Sequence, residues 1–197
     1  MEPEGIIAVL RGDDVQRVEK VARACAAGGI RFIEVTFTVP GAAALIERLA
    51  GLEAGVVGAG TVTSVQQADA ALDAGARFLV SPACLPELST RAREAGVPCL
   101  LGAMTPTEVL AAWNAGATQV KVFPAARLGG PRYLADLAGP YPDIRLSPSG
   151  GITIEDLPGY RLPNVASVGL GSVLTPPDAG YDEIRERARR AVEAMRG

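Results

Sequence analysis

Two charged side chains in this sequence fall where the apolar pattern calls for uncharged ones. Lys121 lies inside the run QVKVFP (119–124) and Glu34 inside FIEVTF (32–37). Both runs have the short, β-branched, apolar character of buried strands. Successive side chains of a strand point to opposite faces. With Ile33, Val35 and Phe37 on one face, Glu34 and Thr36 take the other; with Val120 and Val122 on one face, Lys121 and Phe123 take the other. Withdrawing a charge from water costs on the order of several kcal/mol, so a sheltered ion pair is a poor device for stability alone. The chemistry that wants a sheltered lysine is amine attack on a carbonyl. Desolvation favours a neutral amine, and the iminium it forms accepts electrons from a neighbouring carbon–carbon bond. Proton transfer is needed as well, and Glu34 is the inward carboxylate that can supply it. The other lysine, Lys20, shares a polar helix face with Gln16, Arg17 and Arg23, where solvation accounts for it.

More residues collect at the ends of similar runs. Arg11 follows IIAVL (6–10) on the same side as Ile7 and Val9, and its planar fork suits a carboxylate. Thr61 follows VVGAG (56–60), beside glycines that let a ligand approach the backbone. SPSGGIT (147–153) and GLGSVL (169–174) follow the seventh and eighth runs, where barrels often hold phosphate on backbone N–H groups and a short helix N-terminus. Thr153 with Asp156 has the spacing of a helix start.

The elements that must position these residues form a repeat. Eight apolar runs, at 6–10, 32–37, 56–60, 78–82, 99–103, 119–124, 144–149 and 166–171, begin 20 to 26 residues apart. Between them lie Ala-rich segments of helical period. Val15, Val18, Ala22 and Cys25 form one stripe, and Ile184, Ala188, Ala191 and Met195 another. Several segments end in Ala-Gly just ahead of the next run, the mark of a left-handed helix cap. Strand–helix alternation implies a parallel sheet with right-handed crossovers. Eight such units close into a (β/α)8 TIM barrel, read here as one domain over 1–197. The first turn reads LRGDD and lacks the GxGxxG of a dinucleotide fold. Active sites of barrels lie at the C-terminal ends of the strands, where the residues above converge.

Composition narrows the chemistry. There is no histidine, which removes Ser-His-Asp and Cys-His catalysis and the commonest transition-metal ligand. No strand end gathers two carboxylates, so the expected chemistry uses neither metal nor cofactor. Cys25, Cys84 and Cys99 are far apart and sit among apolar or small residues, as packing cysteines do. The formal charge of −3 is spread along the chain with no basic patch, which argues against nucleic acid. No apolar run approaches the ~20 residues that span a membrane, and the N-terminus lacks a signal-peptide pattern, so a cytoplasmic protein is expected.

The ordered series IIAVLR, GGIRFIEVTF, GAGTV, FLVSP, MTPTE, KVFPA, SGGI and GLGS, covering almost the whole chain, resembles the bacterial 2-keto-3-deoxy-6-phosphogluconate (KDPG) aldolases. These overlap with the 4-hydroxy-2-oxoglutarate (KHG) aldolases. The resemblance implies a metal-independent class I aldolase that cleaves the phosphorylated 2-keto-3-deoxy acid reversibly to pyruvate and glyceraldehyde 3-phosphate. It makes Lys121 the Schiff-base lysine and Glu34 the general acid/base, with Thr61 on the pyruvate-derived carboxylate. Gly150, Gly151, Gly171 and Ser172 would hold phosphate, and Thr36, Pro82 and Phe123 line the pocket. The family is usually trimeric, so a homotrimer is expected.

Three departures stand out. Some members have an Arg two residues after EVT, where this chain has Thr38; the carboxylate is therefore assigned to Arg11. The common TGG motif is here Ser149-Gly150-Gly151, which keeps the hydroxyl. Many members carry a helix ahead of the first strand, whereas five residues precede it here. Two other readings are a sugar-phosphate epimerase or isomerase and a non-catalytic phosphate-ligand barrel. KHG cleavage to pyruvate and glyoxylate is the alternative within the aldolase reading.

Overall fold

The computed structural model describes residues 1–196. Eight parallel strands are ordered β7-β6-β5-β4-β3-β2-β1-β8. They are β1 (Gly5–Leu10), β2 (Phe32–Thr36), β3 (Val56–Gly60), β4 (Leu79–Val80), β5 (Cys99–Ala103), β6 (Gln119–Val122), β7 (Leu146–Pro148) and β8 (Ser167–Leu170). The seam between β7 and β8 has no continuous ladder. Isolated bridges, Leu146 with Val165 and Ser149 with Gly169, close it instead. The TIM barrel expected from the repeat is therefore present. Its helices are α1 (Val15–Ala27), α2 (Ala42–Leu49), α3 (Val65–Asp73), α4 (Pro86–Glu94), α5 (Pro106–Asn114), α6 (Pro131–Ala138) and α7 (Tyr181–Arg196).

The unit after β7 departs from the repeat. Thr153 and Asp156 do make a reciprocal cap, with Thr153 N–H donating to the carboxylate at 3.0 Å and Asp156 N–H to the threonine hydroxyl at 3.3 Å. The cap leads into a four-residue 3-10 turn, Leu157–Tyr160, rather than a full helix. Pro158 and Gly159 disfavour propagation of an α-helix there. The backbone N–H bond from Thr153 holds the Asp156 carboxyl below its ordinary value, and the threonine hydroxyl adds to the effect.

Side-chain alternation sorts the core into two compartments. Ile33, Val35, Val120 and Val122 pack outward against the helices. Ile7, Phe32, Phe78, Val80 and Leu100 fill the lumen with Val9 and Val56 beside them. Fully burying each large apolar side chain contributes roughly 1.5–3 kcal/mol, so the two compartments carry the fold. The expected helix caps are present: Gly29, Gly75, Gly96 and Gly116 all have positive φ. Gly28 meets a different demand, since a Cβ there would lie 2.5 Å from the Ala188 methyl where α1 crosses α7. Cys25 and Cys99 are buried, and burial pushes their thiols up to about 12 and about 11.

The floor is sealed by a polar plug. Gln119 donates to the Pro3 carbonyl at 2.6 Å and accepts from the Ser167 hydroxyl at 2.7 Å. That hydroxyl also lies 2.8 Å from Ser147 Oγ. The residues ahead of β1 thus cap the lumen without a helix, and Arg145 secures them by pairing with Glu2 and Glu4.

Candidate active site

β2 and β6 stand on opposite sides of the barrel, and their inward side chains meet across it. Lys121 Nζ lies 3.6 Å from Glu34 Oε1. Lys121 is 7% and Glu34 2% exposed, so both are withdrawn from bulk water. Glu34 Oε1 is fully buried and accepts no hydrogen bond. A carboxylate oxygen left unbonded in a protein interior is costly, and such sites call for a functional explanation. The lysine ammonium also sits 5.8 Å from the centroid of the Phe123 ring at the barrel mouth. As the alternation required, Phe123 is on the lumen side, but it is partly open to solvent.

Glycines make room for this pair. A Cβ on Gly60 would overlap the Glu34 carboxyl group, and one on Gly102 would overlap the Pro82 carbonyl. Gly102 is the register partner of Lys121, so Pro82 lines the lumen beside the lysine. Gly58 performs the same service lower down, where a Cβ would meet the Phe78 ring at 2.5 Å. Small residues at these inward positions hollow the lumen around the two charges.

Arg11 and Thr61 meet above β2. The guanidinium donates to Thr61 Oγ1 at 3.3 Å from an exposed position at the mouth. Thr61 has φ +53°, an outlying backbone state for a β-branched residue. Thr36 is fully buried at the end of β2, and its hydroxyl donates to the Leu10 carbonyl at 2.9 Å. Its oxygen is also 2.8 Å from Thr38 Oγ1, so Thr36 locks β1 to the loop after β2.

The loops after β7 and β8 start side by side, joined by the Ser149–Gly169 bridge. A Cβ on Gly169 would lie 2.7 Å from Ser149 Oγ. Gly150 and Gly151 adopt φ +94° and +76°, and a Cβ on Gly150 would sit 2.9 Å from the Phe123 ring. The SGG segment is tied to the end of β6 by bonds from Ala125 N–H to Ser149 O and from Ala126 N–H to Gly150 O. Gly171 lies near the end of β1, and Ser172 is exposed. Among the described residues, the N–H groups of Gly150, Gly151, Ser172 and Val173 have no backbone acceptor. Backbone N–H groups without an internal acceptor are available to an anion such as phosphate.

All the residues singled out from the sequence thus lie at one end of the barrel. Sequence reasoning missed Gln119, Ser147 and Ser167, which form the floor plug. The signal was available, since Gln119 precedes Lys121 by two residues and must share its face. Gly60 was read only as one of the glycines that let a ligand approach, and Gly102 was given no role; their specific partners, Glu34 and Pro82, emerge only from the packing. A cavity of about 620 Å³ beneath the barrel, lined by Met1, Arg31 and Met195 among others, lies at the end opposite the Lys121–Glu34 pair.

Known proteins match the chain throughout. A family model described as KDPG and KHG aldolase covers residues 1–187. A 2-dehydro-3-deoxy-phosphogluconate aldolase of Pseudoalteromonas atlantica is 35% identical over 198 residues, spanning 98% of this chain and 92% of that protein. The KHG/KDPG aldolase of Escherichia coli is 34% identical over 197 residues, with 97% and 92% covered. The KDPG aldolase structure from Legionella pneumophila, with pyruvate captured as a covalent carbinolamine, matches with a TM-score of 0.86 at 32% identity. That match covers 95% of this chain and 94% of the other. A lysine and a carboxylate facing each other across a barrel, and aldolase relatives matched over about nine-tenths of their length, lead to one assignment: this chain is a lyase of the KDPG and KHG aldolase family.

Proposed function

We propose that Lys121 is the imine-forming residue of a class I KDPG aldolase, with Glu34 moving the protons. The Lys121 amine adds to the C2 carbonyl of the 2-oxo acid, and loss of water from the carbinolamine gives an iminium. Glu34 takes the proton of the C4 hydroxyl as the C3–C4 bond breaks. The electron pair of that bond enters the iminium, leaving an enamine and releasing glyceraldehyde 3-phosphate. Protonation at C3 and addition of water then return pyruvate and the free lysine. The single observation that carries this reading is the buried Lys121–Glu34 pair, 3.6 Å apart, whose carboxylate oxygen has no other partner. That unbonded acceptor stands ready for the substrate hydroxyl or a mediating water.

Arg11 and Thr61, already bonded to each other, are assigned to the pyruvyl carboxylate. Ser149, Gly150, Gly151, Gly171 and Ser172 are assigned to phosphate, on the strength of the free N–H groups of Gly150, Gly151 and Ser172, the Ser149 hydroxyl and the positive φ of the two loop glycines. KHG is a second substrate within this reading, supported by the dual name of the Escherichia coli relative. Its cleavage takes the same steps and releases glyoxylate. A cytoplasmic homotrimer completes the proposal. Among the described residues no helix is long and apolar enough to cross a membrane. Light scattering on the eluted protein tests the trimer.

Incubation with pyruvate and borohydride tests the chemistry. One pyruvyl adduct is expected on Lys121, and Lys121→Met should lose both trapping and cleavage. Retained cleavage in that variant would overturn the imine mechanism; an epimerase or a simple binding barrel would gain no adduct.

A further inference from the structure

The segment between β8 and α7 carries Gly171 and Ser172 at its start, yet little of its own backbone bonding holds it. Leu174 N–H bonds to Gly171 O, Thr175 N–H to Ser172 O and Ala179 N–H to Pro176 O. Each of these is local and ties the loop only to itself. Two arginines from outside supply the anchoring. Arg17, on α1, donates through Nη2 to Pro176 O at 2.8 Å and Ala179 O at 3.4 Å. Arg187, on α7, donates to Val173 O at 3.3 Å.

This use of arginine is selective. Arg23, Arg48, Arg91, Arg145, Arg185, Arg189 and Arg190 pair with carboxylates, and Arg187 pairs with Glu183 at 2.9 Å as well as holding Val173 O. Among the described residues three arginine side chains donate to main-chain carbonyls, Arg17, Arg161 and Arg187, and two of the three act on this one loop. The Arg17 guanidinium is partly buried, so its bonds are less open to competition from water. Its own backbone is fixed too, because Asp14 caps α1 by accepting from Arg17 N–H at 3.0 Å. Arg187 thereby fixes the Val173–Leu174 peptide plane next to Ser172, while Arg17 pins the far end of the same loop at Pro176 and Ala179 and so limits how the whole segment can move.

We propose that Arg17 is a positioning residue for phosphate recognition: it holds the β8–α7 loop so that the N–H groups at its start face the ligand. Arg187 is the second anchor of the same loop. This inference rests on the phosphate assignment made above. Arg17 touches no reacting atom, and its loss should be felt only by the phosphorylated end of a substrate.

The test compares KDPG with unphosphorylated 4-hydroxy-2-oxoglutarate in the wild type, Arg17→Met and Arg17→Lys. Arg17→Met should raise KM for KDPG about tenfold, the scale of one charge-assisted hydrogen bond. Its kcat for KDPG, its turnover of the unphosphorylated acid and borohydride trapping of pyruvate at Lys121 should change less than about twofold. Arg17→Lys, which can still donate to a carbonyl, should recover part of the KM. Arg187→Met should show the same substrate-selective rise, more weakly, as its bond is longer. Equal losses on both substrates, or no loss on either, would overturn the proposal while leaving the phosphate assignment in place. If inorganic phosphate fails to compete with KDPG in the wild type, the phosphate assignment itself falls and takes this inference with it.

Discussion

The two ends of the lumen treat polar groups in opposite ways. At the floor, the Gln119 amide, the Ser167 and Ser147 hydroxyls and the Pro3 carbonyl satisfy one another within 2.6–2.8 Å. At the mouth, Glu34 Oε1 is buried and unbonded, Thr61 holds an outlying φ of +53°, and among the described residues the N–H groups of Gly150, Gly151, Ser172 and Val173 have no backbone acceptor. Polar groups that complete one another add rigidity; polar groups left incomplete in a closed space are waiting for a partner. The floor therefore supports the fold, and the mouth is where the proposed reaction belongs. Substitutions at the two ends should separate stability from turnover.

The sharpest break is expected at Glu34. Glu34→Gln keeps the shape but cannot take a proton, so kcat should fall by about 10²–10⁴. Pyruvate should still be trapped on Lys121 by borohydride, only more slowly, because the amine remains. Wild-type cleavage in this variant would remove Glu34 from the mechanism.

Gly60→Ala should have the next largest effect. The added methyl overlaps the Glu34 carboxyl group, which has to swing away from its place 3.6 Å from the lysine. Displacing a reacting group by about 1 Å can cost on the order of a hundredfold in rate. Overpacking should also lower stability by about 1–3 kcal/mol. Cleavage kinetics alongside thermal unfolding would check both, and an unchanged kcat would show that the carboxylate has more freedom than the packing implies.

Legibility in the sequence divides along the same line. Alternation within β2 and β6 gave the direction of Glu34 and Lys121, because a strand's period leaves one choice once the apolar face is known. The barrel could be inferred from eight spaced runs with Ala-Gly stops between them. The weak spots were places where partners are distant in sequence. Gln119 and Pro3 are 116 residues apart, and no local pattern announces that contact. The 3-10 turn after β7 was read as a helix start because the Thr153–Asp156 cap is real, but a cap does not guarantee propagation. Arg17 looked like ordinary surface charge, since its partners are backbone carbonyls that any sequence would offer.

The floor should answer differently from the mouth. Gln119→Leu keeps bulk but strands the Pro3 carbonyl and leaves the Ser167 hydroxyl with Ser147 as its remaining partner. A loss of about 1–3 kcal/mol is expected, which lowers Tm by about 2–4 °C per kcal/mol in a chain of this size. Pyruvate trapping and the ratio of KDPG to KHG turnover should stay at wild-type values. A changed ratio would mean that the plug reaches the reacting layer, and the division of the lumen would fail.

Thr61 offers the smallest change in stability and the cleanest reversal of sign. A β-branched residue in the left-handed region pays about 1–2 kcal/mol that glycine does not. Thr61→Gly removes that strain and adds chain entropy to the unfolded state, roughly 0.5–1 kcal/mol in the other direction. The net should be a gain of about 0–1.5 kcal/mol, visible as an unchanged or slightly raised Tm. The same change deletes the hydroxyl that Arg11 holds at 3.3 Å, so KM for pyruvate-derived substrates should rise. A variant that is at least as stable yet binds more weakly would show that the strain at the mouth is retained for binding. Weaker binding accompanied by a clear fall in Tm would instead make Thr61 part of the framework, alongside Thr36.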